Sequence, residues 1–232
     1  MGKENRDPKK KTLLKRLPAT QDILLSVIGA ILCGLGCGFV NYASWGMDSV
    51  GLFYDGIRNI LNLSPDQIGY ASYVVCFLLS LFLWFAARKY VSIGSIIYIV
   101  VYGAFANFGT SFWEWVNPDG GRAVDLLIAF LGLLILYVGL AIYITIDIGV
   151  DAFTGVVLWI CDVTHKKMPV VKILFDLGLV LLGFLMGGTI GYLTPVTILI
   201  GGPCISFLQK RFMRIYFREA VEEESKNRSQ QN

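Results

Sequence analysis

The chain has 232 residues, of which 55% are hydrophobic and only 16% are charged. Soluble domains carry about 25% charged residues, so this composition excludes an ordinary soluble globular domain and is typical of an integral membrane protein. The formal net charge is +3, and the charged residues gather towards the two ends of the chain.

The first segment, residues 1–20, is basic and is followed by an apolar run at 23–40. This arrangement is similar to a secretory signal peptide, but the basic part is long and no small-residue cleavage site follows the run. We therefore interpret the run as a retained first span. The basic segment is expected to lie on the cytoplasmic side and to contact anionic lipid headgroups of the membrane there. No nucleic-acid partner is expected.

Six apolar segments follow one another along the chain, each with about the 20 residues that cross a bilayer. Each is apolar around most of its circumference, which indicates burial in lipid or in a bundle. The predicted spans are 21–44, 67–88, 91–113, 123–147, 169–188 and 193–213. Basic residues flank them mainly on one side, so the positive-inside rule predicts that both termini are cytoplasmic.

Two shorter apolar segments do not fit a span. Residues 47–61 follow span one, and residues 150–161 follow span four. Each segment is too short to cross a bilayer and too apolar for an ordinary loop. We therefore expect re-entrant or interfacial helices at both places.

The two short segments belong to an internal repeat with an offset of 103 residues. The matching pairs are Gly36 with Gly139, Gly46 with Gly149, and Asp48 with Asp151. Each unit contains three spans, an odd number, so the second copy is predicted to be inverted relative to the first. The prediction is an all-α membrane protein with six transmembrane helices in a 3+3 inverted repeat.

The predicted domain organisation follows from the repeat. A basic segment at 1–20 precedes the first repeat at 21–116, and the second repeat occupies 117–216. A charged cytoplasmic tail at 217–232 completes the chain. In folds of this kind the substrate site lies near the midplane, where broken helices from both halves meet.

Asp48 and Asp151 are the leading candidates for such a site, because each opens a short helix two residues after a glycine. Aspartate is a preferred N-cap, so capping alone is one interpretation. The alternative is that both helix starts face a cavity and help to bind a substrate or an ion. The two roles are compatible.

Four further polar residues fall in or beside the predicted spans. Asp147 ends span four, and it needs a partner or water only if it lies in the membrane core. Asp176 can pair with Lys172 one turn earlier, or it can act as a proton or cation site. Asn41 and Asn107 are expected to face inward, where they can bond across helices or line the site.

Several enzyme classes lack their motifs here. The chain contains no G-x-x-x-x-G-K-[ST] phosphate loop and no G-x-S-x-G elbow, and its single histidine, His165, cannot form H-E-x-x-H. No catalytic residue, metal ligand or cofactor is predicted. Gly201-Gly202-Pro203 is expected to interrupt span six.

The segment from Ile173 to Pro203 reads ILFDLGLVLLGFLMGGTIGYLTPVTILIGGP. It resembles the bacterial YczE/YyaS/YitT family in Asp176, in the Leu-Gly-Phe-Leu-x-Gly-Gly turn and in the late Gly-Pro. The resemblance covers most of residues 20–215 and implies a multi-pass protein of the bacterial inner membrane. It implies no substrate, and the chain departs from the family where Met47 and Val150 replace a frequent proline.

The favoured functional hypothesis is a small secondary transporter with a midplane site between the repeats, in which Asp176 or Asp147 couples transport to protons or sodium. A non-transporting subunit or scaffold is one alternative, and it predicts paired carboxylates and no cavity. A membrane-embedded lipid-modifying enzyme is another, and it predicts a lateral opening. The expected partners are the lipid bilayer and a small molecule or ion. The sequence is compatible with both a monomer and a homo-oligomer.

Overall fold

The computed structural model describes residues 19–91, 93–117, 120–146, 151–166 and 168–230. Within these residues the protein is entirely helical, as predicted. The α-helices are α1 (Ala19–Ala43), α2 (Ser49–Ile60), α3 (Ile68–Ala86), α4 (Ile93–Val116), α5 (Arg122–Ile146), α6 (Ala152–Thr164), α7 (Met168–Leu185) and α8 (Leu193–Gln230). Short 3-10 helices at Pro65–Gln67 and Arg88–Tyr90 precede and follow α3.

Every predicted span and both short segments correspond to a helix, with ends that mostly differ by a few residues. Among the described residues, four helical segments are long and apolar enough to cross a membrane: Gln21–Ala43, Pro65–Ala86, Gly94–Val116 and Arg122–Ile146. Helices α7 and α8 lie at predicted spans five and six but are not among these four. The fold is that of a multi-pass membrane protein, and the count of six spans stays a prediction.

Helix α8 corrects one expectation. The helix continues for 38 residues through Pro203, so the predicted interruption at Gly201-Gly202-Pro203 is wrong. A proline inside a helix removes one backbone hydrogen bond and bends the helix, and the turns on either side keep their own bonds. Gly201 brings α8 close to α5, since a Cβ there would lie 3.0 Å from the Tyr137 hydroxyl.

The centre of the fold is the crossing of α1 and α5. A Cβ at Gly36 would lie 2.6 Å from the Gly132 carbonyl oxygen, and a Cβ at Gly139 would lie 2.8 Å from that of Gly29. The two contacts are reciprocal, because Gly29 and Gly36 each precede their counterparts, Gly132 and Gly139, by 103 residues. Small residues on both helices let the two backbones approach each other closely.

The same offset of 103 residues relates two contacting residues at the midpoint of the crossing. The Cys33 thiol faces the Leu136 carbonyl oxygen at 3.8 Å, and these residues are also 103 apart. On the other side of α1, a Cβ at Gly34 or Gly38 would overlap the backbone of α4. Helix α1 is therefore enclosed between α4 and α5.

Contacts between helix ends define two opposite faces of the bundle. On the first, the Asn41 side chain at the end of α1 donates to the Pro65 carbonyl, and Leu193 N at the start of α8 donates to Trp45 O. On the second, Lys89 after α3 pairs with Asp162 near the end of α6. We name these surfaces the Asn59 face and the Lys89 face, after residues that lie there.

Helix α2 starts inside the bundle and ends at the Asn59 face. Its first residue, Ser49, donates to Asp176 in α7 at 2.9 Å. Asp176 is the ninth residue of α7 and lies about 12 Å along that helix. Near the other end of α2, Asn59 donates to the Gly187 carbonyl just after α7. The two helices therefore run in the same direction, and α2 begins halfway along α7.

Helix α6 runs in the direction opposite to that of α2 and packs along α3. Phe153 at its start contacts Tyr54 of α2, with ring centroids 5.6 Å apart. Further along, Trp159 meets Phe82 of α3 edge to face at 5.0 Å. The ion pair of Asp162 with Lys89 then lies beyond the end of α3. Helix α6 thus runs from the interior to the Lys89 face, in the direction opposite to that of α2.

The glycine crossing predicts a specific cost of substitution. Gly36→Ala places a methyl group against the backbone of α5, and overpacking of this kind costs about 1–3 kcal/mol. We expect a lower thermal unfolding temperature for this variant in detergent. Gly178→Ala in α7 is the matched control, since a Cβ there meets no atom within 4 Å. An unfolding temperature for Gly36→Ala equal to that of Gly178→Ala would contradict the close crossing.

Candidate functional site

Asp48 caps α2 at the place where that helix begins. Its Oδ1 accepts a hydrogen bond from Gly51 N at 3.3 Å, and its backbone is extended, as an N-cap requires. The flanking residues Met47 and Ser49 are buried at 5% and 6% exposure. Asp48 itself keeps a larger exposed fraction, although it lies halfway along α7.

Asp151 holds the equivalent place at the start of α6. Its Oδ2 accepts from Thr154 N at 3.0 Å, and it is also half-buried. Both caps lie within electrostatic range of Cys33 on α1, near the midpoint of the central crossing. The capping role predicted for the two aspartates is confirmed, and the structure places both helix starts on either side of the same central region.

Asp176 and Lys172 form the predicted ion pair on α7, with 2.6 Å between Lys172 Nζ and Asp176 Oδ1. The same carboxylate oxygen accepts from the Ser49 hydroxyl at the start of α2. This network joins α7 to the residue next to Asp48. Asp48, Ser49, Lys172 and Asp176 together form what we call the α7 cluster.

The charged side chains of the α7 cluster are partly exposed although they lie on the packed side of that helix. Leu179 is buried and marks the packed side of α7. Asp176 and Lys172 precede it by three and seven residues, so all three lie on one side of the helix. Yet the Lys172 side chain is 44% exposed and that of Asp176 is 18% exposed. The exposed fraction therefore decreases along this side of α7, from Lys172 to Asp176.

The arrangement of the neighbouring helices accounts for this exposure. Helix α7 packs on α2 and α6, helix α8 packs on α5, and α7 and α8 hardly touch. In the first half, the corresponding helices α3 and α4 are closed against each other. A Cβ at Gly69 of α3 would overlap the Gly103 carbonyl of α4, and the Tyr73 ring covers Gly103. The two halves thus differ at this position.

A column of buried tyrosines fills the centre beside the crossing. Its members Tyr143, Tyr98, Tyr102 and Tyr54 have successive ring centroids 4.7, 5.3 and 5.9 Å apart. The column brings phenol groups close to the cysteines of α1, and the Tyr54 hydroxyl contacts Cys76 at 3.1 Å. All five cysteines are free thiols.

The sequence analysis did not find this column, although the spacing of Tyr98 and Tyr102, four residues apart on one helix, indicates a shared face. In the described part of the chain, no group of three His, Cys, Asp or Glu side chains could hold a metal ion.

Asn41 and Asn107 are engaged at the start of α3 and not with the α7 cluster. The Asn41 amide donates to Pro65 O at 2.7 Å and to the Thr110 hydroxyl at 3.1 Å. Asn107 Oδ1 accepts from Gly69 N at 2.5 Å. These bonds satisfy backbone groups around the first turn of α3, which matches the expected bonding across helices. Asp147 lies outside the described residues.

Comparison with known proteins gives a family. The model of a family described as "Family of unknown function (DUF6198)" matches residues 20–210. The chain belongs to this family. An uncharacterised protein of Haemophilus influenzae is 24% identical over 196 residues, which cover 84% of this chain and 86% of the relative. No solved structure matches. The description of this family does not include the YczE/YyaS/YitT name, so the resemblance to that family stays a prediction.

Two substitutions of Asp48 separate the effect of its capping hydrogen bond from the effect of its negative charge. Replacing a capping aspartate by alanine costs about 1 kcal/mol, whereas asparagine caps nearly as well. We therefore expect Asp48→Ala to lower the thermal unfolding temperature in detergent and Asp48→Asn to leave it almost unchanged. If Asp48→Asn unfolds as early as Asp48→Ala, the negative charge and not the cap bond stabilises α2.

Proposed function

We propose that this chain is a small secondary transporter with six spans, built from inverted repeats at 21–116 and 117–216. Its site is the central region between the starts of α2 and α6. The reciprocal glycine contacts of α1 and α5 support the repeat, since a two-fold axis relates contacts in this reciprocal way. Two helices that begin in the interior also match the discontinuous helices from which transporter sites are built.

The observation that carries the proposal is the partial exposure of the α7 cluster on the packed side of that helix, which we interpret as a crevice. The crevice leads from the Lys89 face, past Lys172 and Asp176, to Asp48 halfway through the bundle. A charged side chain in a membrane interior is costly unless it meets water or a partner. A water-filled crevice that ends at a capped helix start is one half of an alternating-access pathway. The surface that Asp48 retains in the crevice is available to a small molecule or an ion.

The positions of basic residues support an orientation in the bacterial inner membrane. Lys89 and Lys166 lie in connections at the Lys89 face. Such residues favour the cytoplasmic side. The Lys89 face is thus the cytoplasmic face in this proposal, with both chain termini on that side. The crevice then opens to the cytoplasm.

A second candidate function, action on a membrane lipid, is favoured by one specific observation. Helices α7 and α8 hardly touch each other, so the gap between them gives the crevice a lateral side. A lipid headgroup that enters there would meet Lys172 first. The scaffold alternative predicts paired carboxylates, which the pairs of Asp176 with Lys172 and of Asp55 with Arg58 match, and no cavity, which the labelling experiment tests.

Cysteine labelling tests whether the crevice contains water. In a background with the five native cysteines replaced, Lys172→Cys is expected to react readily with a membrane-impermeant maleimide in vesicles. Ile173→Cys is the matched control, because Ile173 is 60% exposed but lies on the outer side of α7. A thiol in lipid stays protonated and reacts slowly, since the thiolate is the nucleophile.

The labelling result decides between the alternatives. Fast reaction at Lys172→Cys alone supports a water-filled crevice. Quenching of a fluorophore on Lys172→Cys by spin-labelled lipid would favour the lateral opening and the lipid enzyme. If neither cysteine reacts, the crevice is closed and the scaffold alternative takes precedence.

Ligand-induced stabilisation tests the site itself. A panel of small metabolites and ions is screened for an increase in the thermal unfolding temperature of the purified protein, because a ligand at 100 times its Kd stabilises by about 2.7 kcal/mol. We expect the increase to disappear in Asp48→Asn, which keeps the cap. Asp66→Asn is the control, since Asp66 lies outside the bundle and bonds Ser64. An unchanged increase in Asp48→Asn would remove Asp48 from the site.

A further inference from the structure

Each re-entrant helix starts in the interior and is tied at its end to a segment from the other half of the chain. For α2, the Asn59 amide donates to Gly187 O at 2.5 Å, and Asp55 Oδ2 accepts from Thr189 N at 2.7 Å. Both partners lie in the connection after α7. We call this set of contacts the amide tie.

The end of α6 is tied at the equivalent place by different chemistry. Asp162 Oδ2 accepts from Lys89 Nζ and from the Tyr90 hydroxyl, both at 2.5 Å. Lys89 and Tyr90 lie in the connection after α3, and Asp162 follows Asn59 by 103 residues. We call these contacts the ion-pair tie. The same repeat position therefore carries a neutral amide in one half and a carboxylate in the other.

The two ties differ in the burial of their carboxylates and in the charge of the residue at the helix end. In the amide tie, Asp55 is 3% exposed and is neutralised by Arg58, with 2.6 Å between the charged groups. In the ion-pair tie, Lys89 is 66% and Asp162 48% exposed. Exposed ion pairs are weak and are screened by salt, whereas buried pairs are screened much less. The ion-pair tie is thus the contact that salt weakens, whereas the Asn59 hydrogen bond, although exposed, is neutral.

The charge state of the ion-pair tie is fixed at neutral pH. The hydrogen bond from Lys89, followed by the one from Tyr90, lowers the pKa of the Asp162 carboxyl from its ordinary value. A carboxyl with a lowered pKa keeps its charge until the pH falls below the usual aspartate range. Salt, and not a pH change near neutrality, is therefore what weakens this contact.

We propose that the ion-pair tie is a salt-sensitive latch whose release lets α6 move away from α3 along its whole length, from the Lys89 face to its start at Phe153, while the amide tie keeps α2 closed at the Asn59 face. The crevice beside Lys172 opens at the same Lys89 face. This inference rests on the proposed function, because it makes the Lys89 face the side from which the central site fills first.

Cys76 is a native reporter for this movement. It lies on α3, the helix along which α6 packs, and it is 2% exposed. Its thiol contacts Tyr54, whose ring also meets Phe153 at the start of α6. Movement of α6 away from α3 uncovers this part of α3. The thiol then reacts with reagents that enter from the Lys89 face.

The test uses the full-length chain with Cys76 as its sole cysteine, in sealed vesicles of both orientations. A membrane-impermeant maleimide is added outside, and the rate of Cys76 modification is measured. We expect Asp162→Asn to raise the rate from the Lys89 face about fivefold, as loss of a weak exposed pair implies. The rate from the Asn59 face should not change. Asp66→Asn is the acid-to-amide control.

Two further measurements keep the test independent of one variant. Raising the ionic strength should increase the Cys76 rate of the otherwise unchanged chain, again from the Lys89 face alone. The exchanged pair Lys89→Asp with Asp162→Lys should restore the slow rate. Equal acceleration from both faces, or no response to either salt or Asp162→Asn, overturns the latch.

Failure of the latch and failure of the transport proposal give different results. If Lys172→Cys is labelled but Cys76 does not respond, the crevice stands and the latch is refuted. If Cys76 responds but Lys172→Cys is not labelled, the latch stands and the crevice that carries the transport proposal is lost.

Discussion

A helix that begins inside a membrane protein must find acceptors for its first free amides, because lipid cannot supply them. The course of α2 and α6 depends on this constraint. Asp48 and Asp151 each accept from an amide three residues further on, which allows a helix to start in the middle of the bundle. The caps therefore fix where the chain turns back towards the face from which it came.

The crossing of α1 and α5 provides the frame around those two starts. Four glycines allow the backbones to meet, and the shared offset of 103 residues makes the contacts reciprocal. Positions where the two halves differ at this offset therefore show where their packing differs. Gly69 closes α3 against α4, whereas the residue 103 positions later is Lys172, whose side chain is partly exposed. The charged cluster lies where the second half lacks the close helix contact of the first.

The sequence was sufficient for the helices and for several local contacts. Hydrophobic length and the aspartates after glycine predicted the long and short helices, and the four-residue spacing predicted the pair of Lys172 with Asp176. These features depend on neighbours along one helix. The bond of Ser49 to Asp176 joins residues 127 apart, and no periodicity indicates it. The continuity of α8 through Pro203 also depends on its surroundings, because packing decides whether a proline bends a helix or ends it.

The cross-packing of the short helices has a consequence for how the chain assembles. Helix α2 packs chiefly on α7, and α6 packs as closely on α3 as on the following helix α7. During synthesis α2 is complete long before its main partner exists, so its outer side has no protein contact until α7 is made. The two halves consequently acquire their native packing together and not one after the other. A chain divided between Val116 and Arg122 would yield fragments that each lack a helix supplied by the other, and only their reassociation would complete either half.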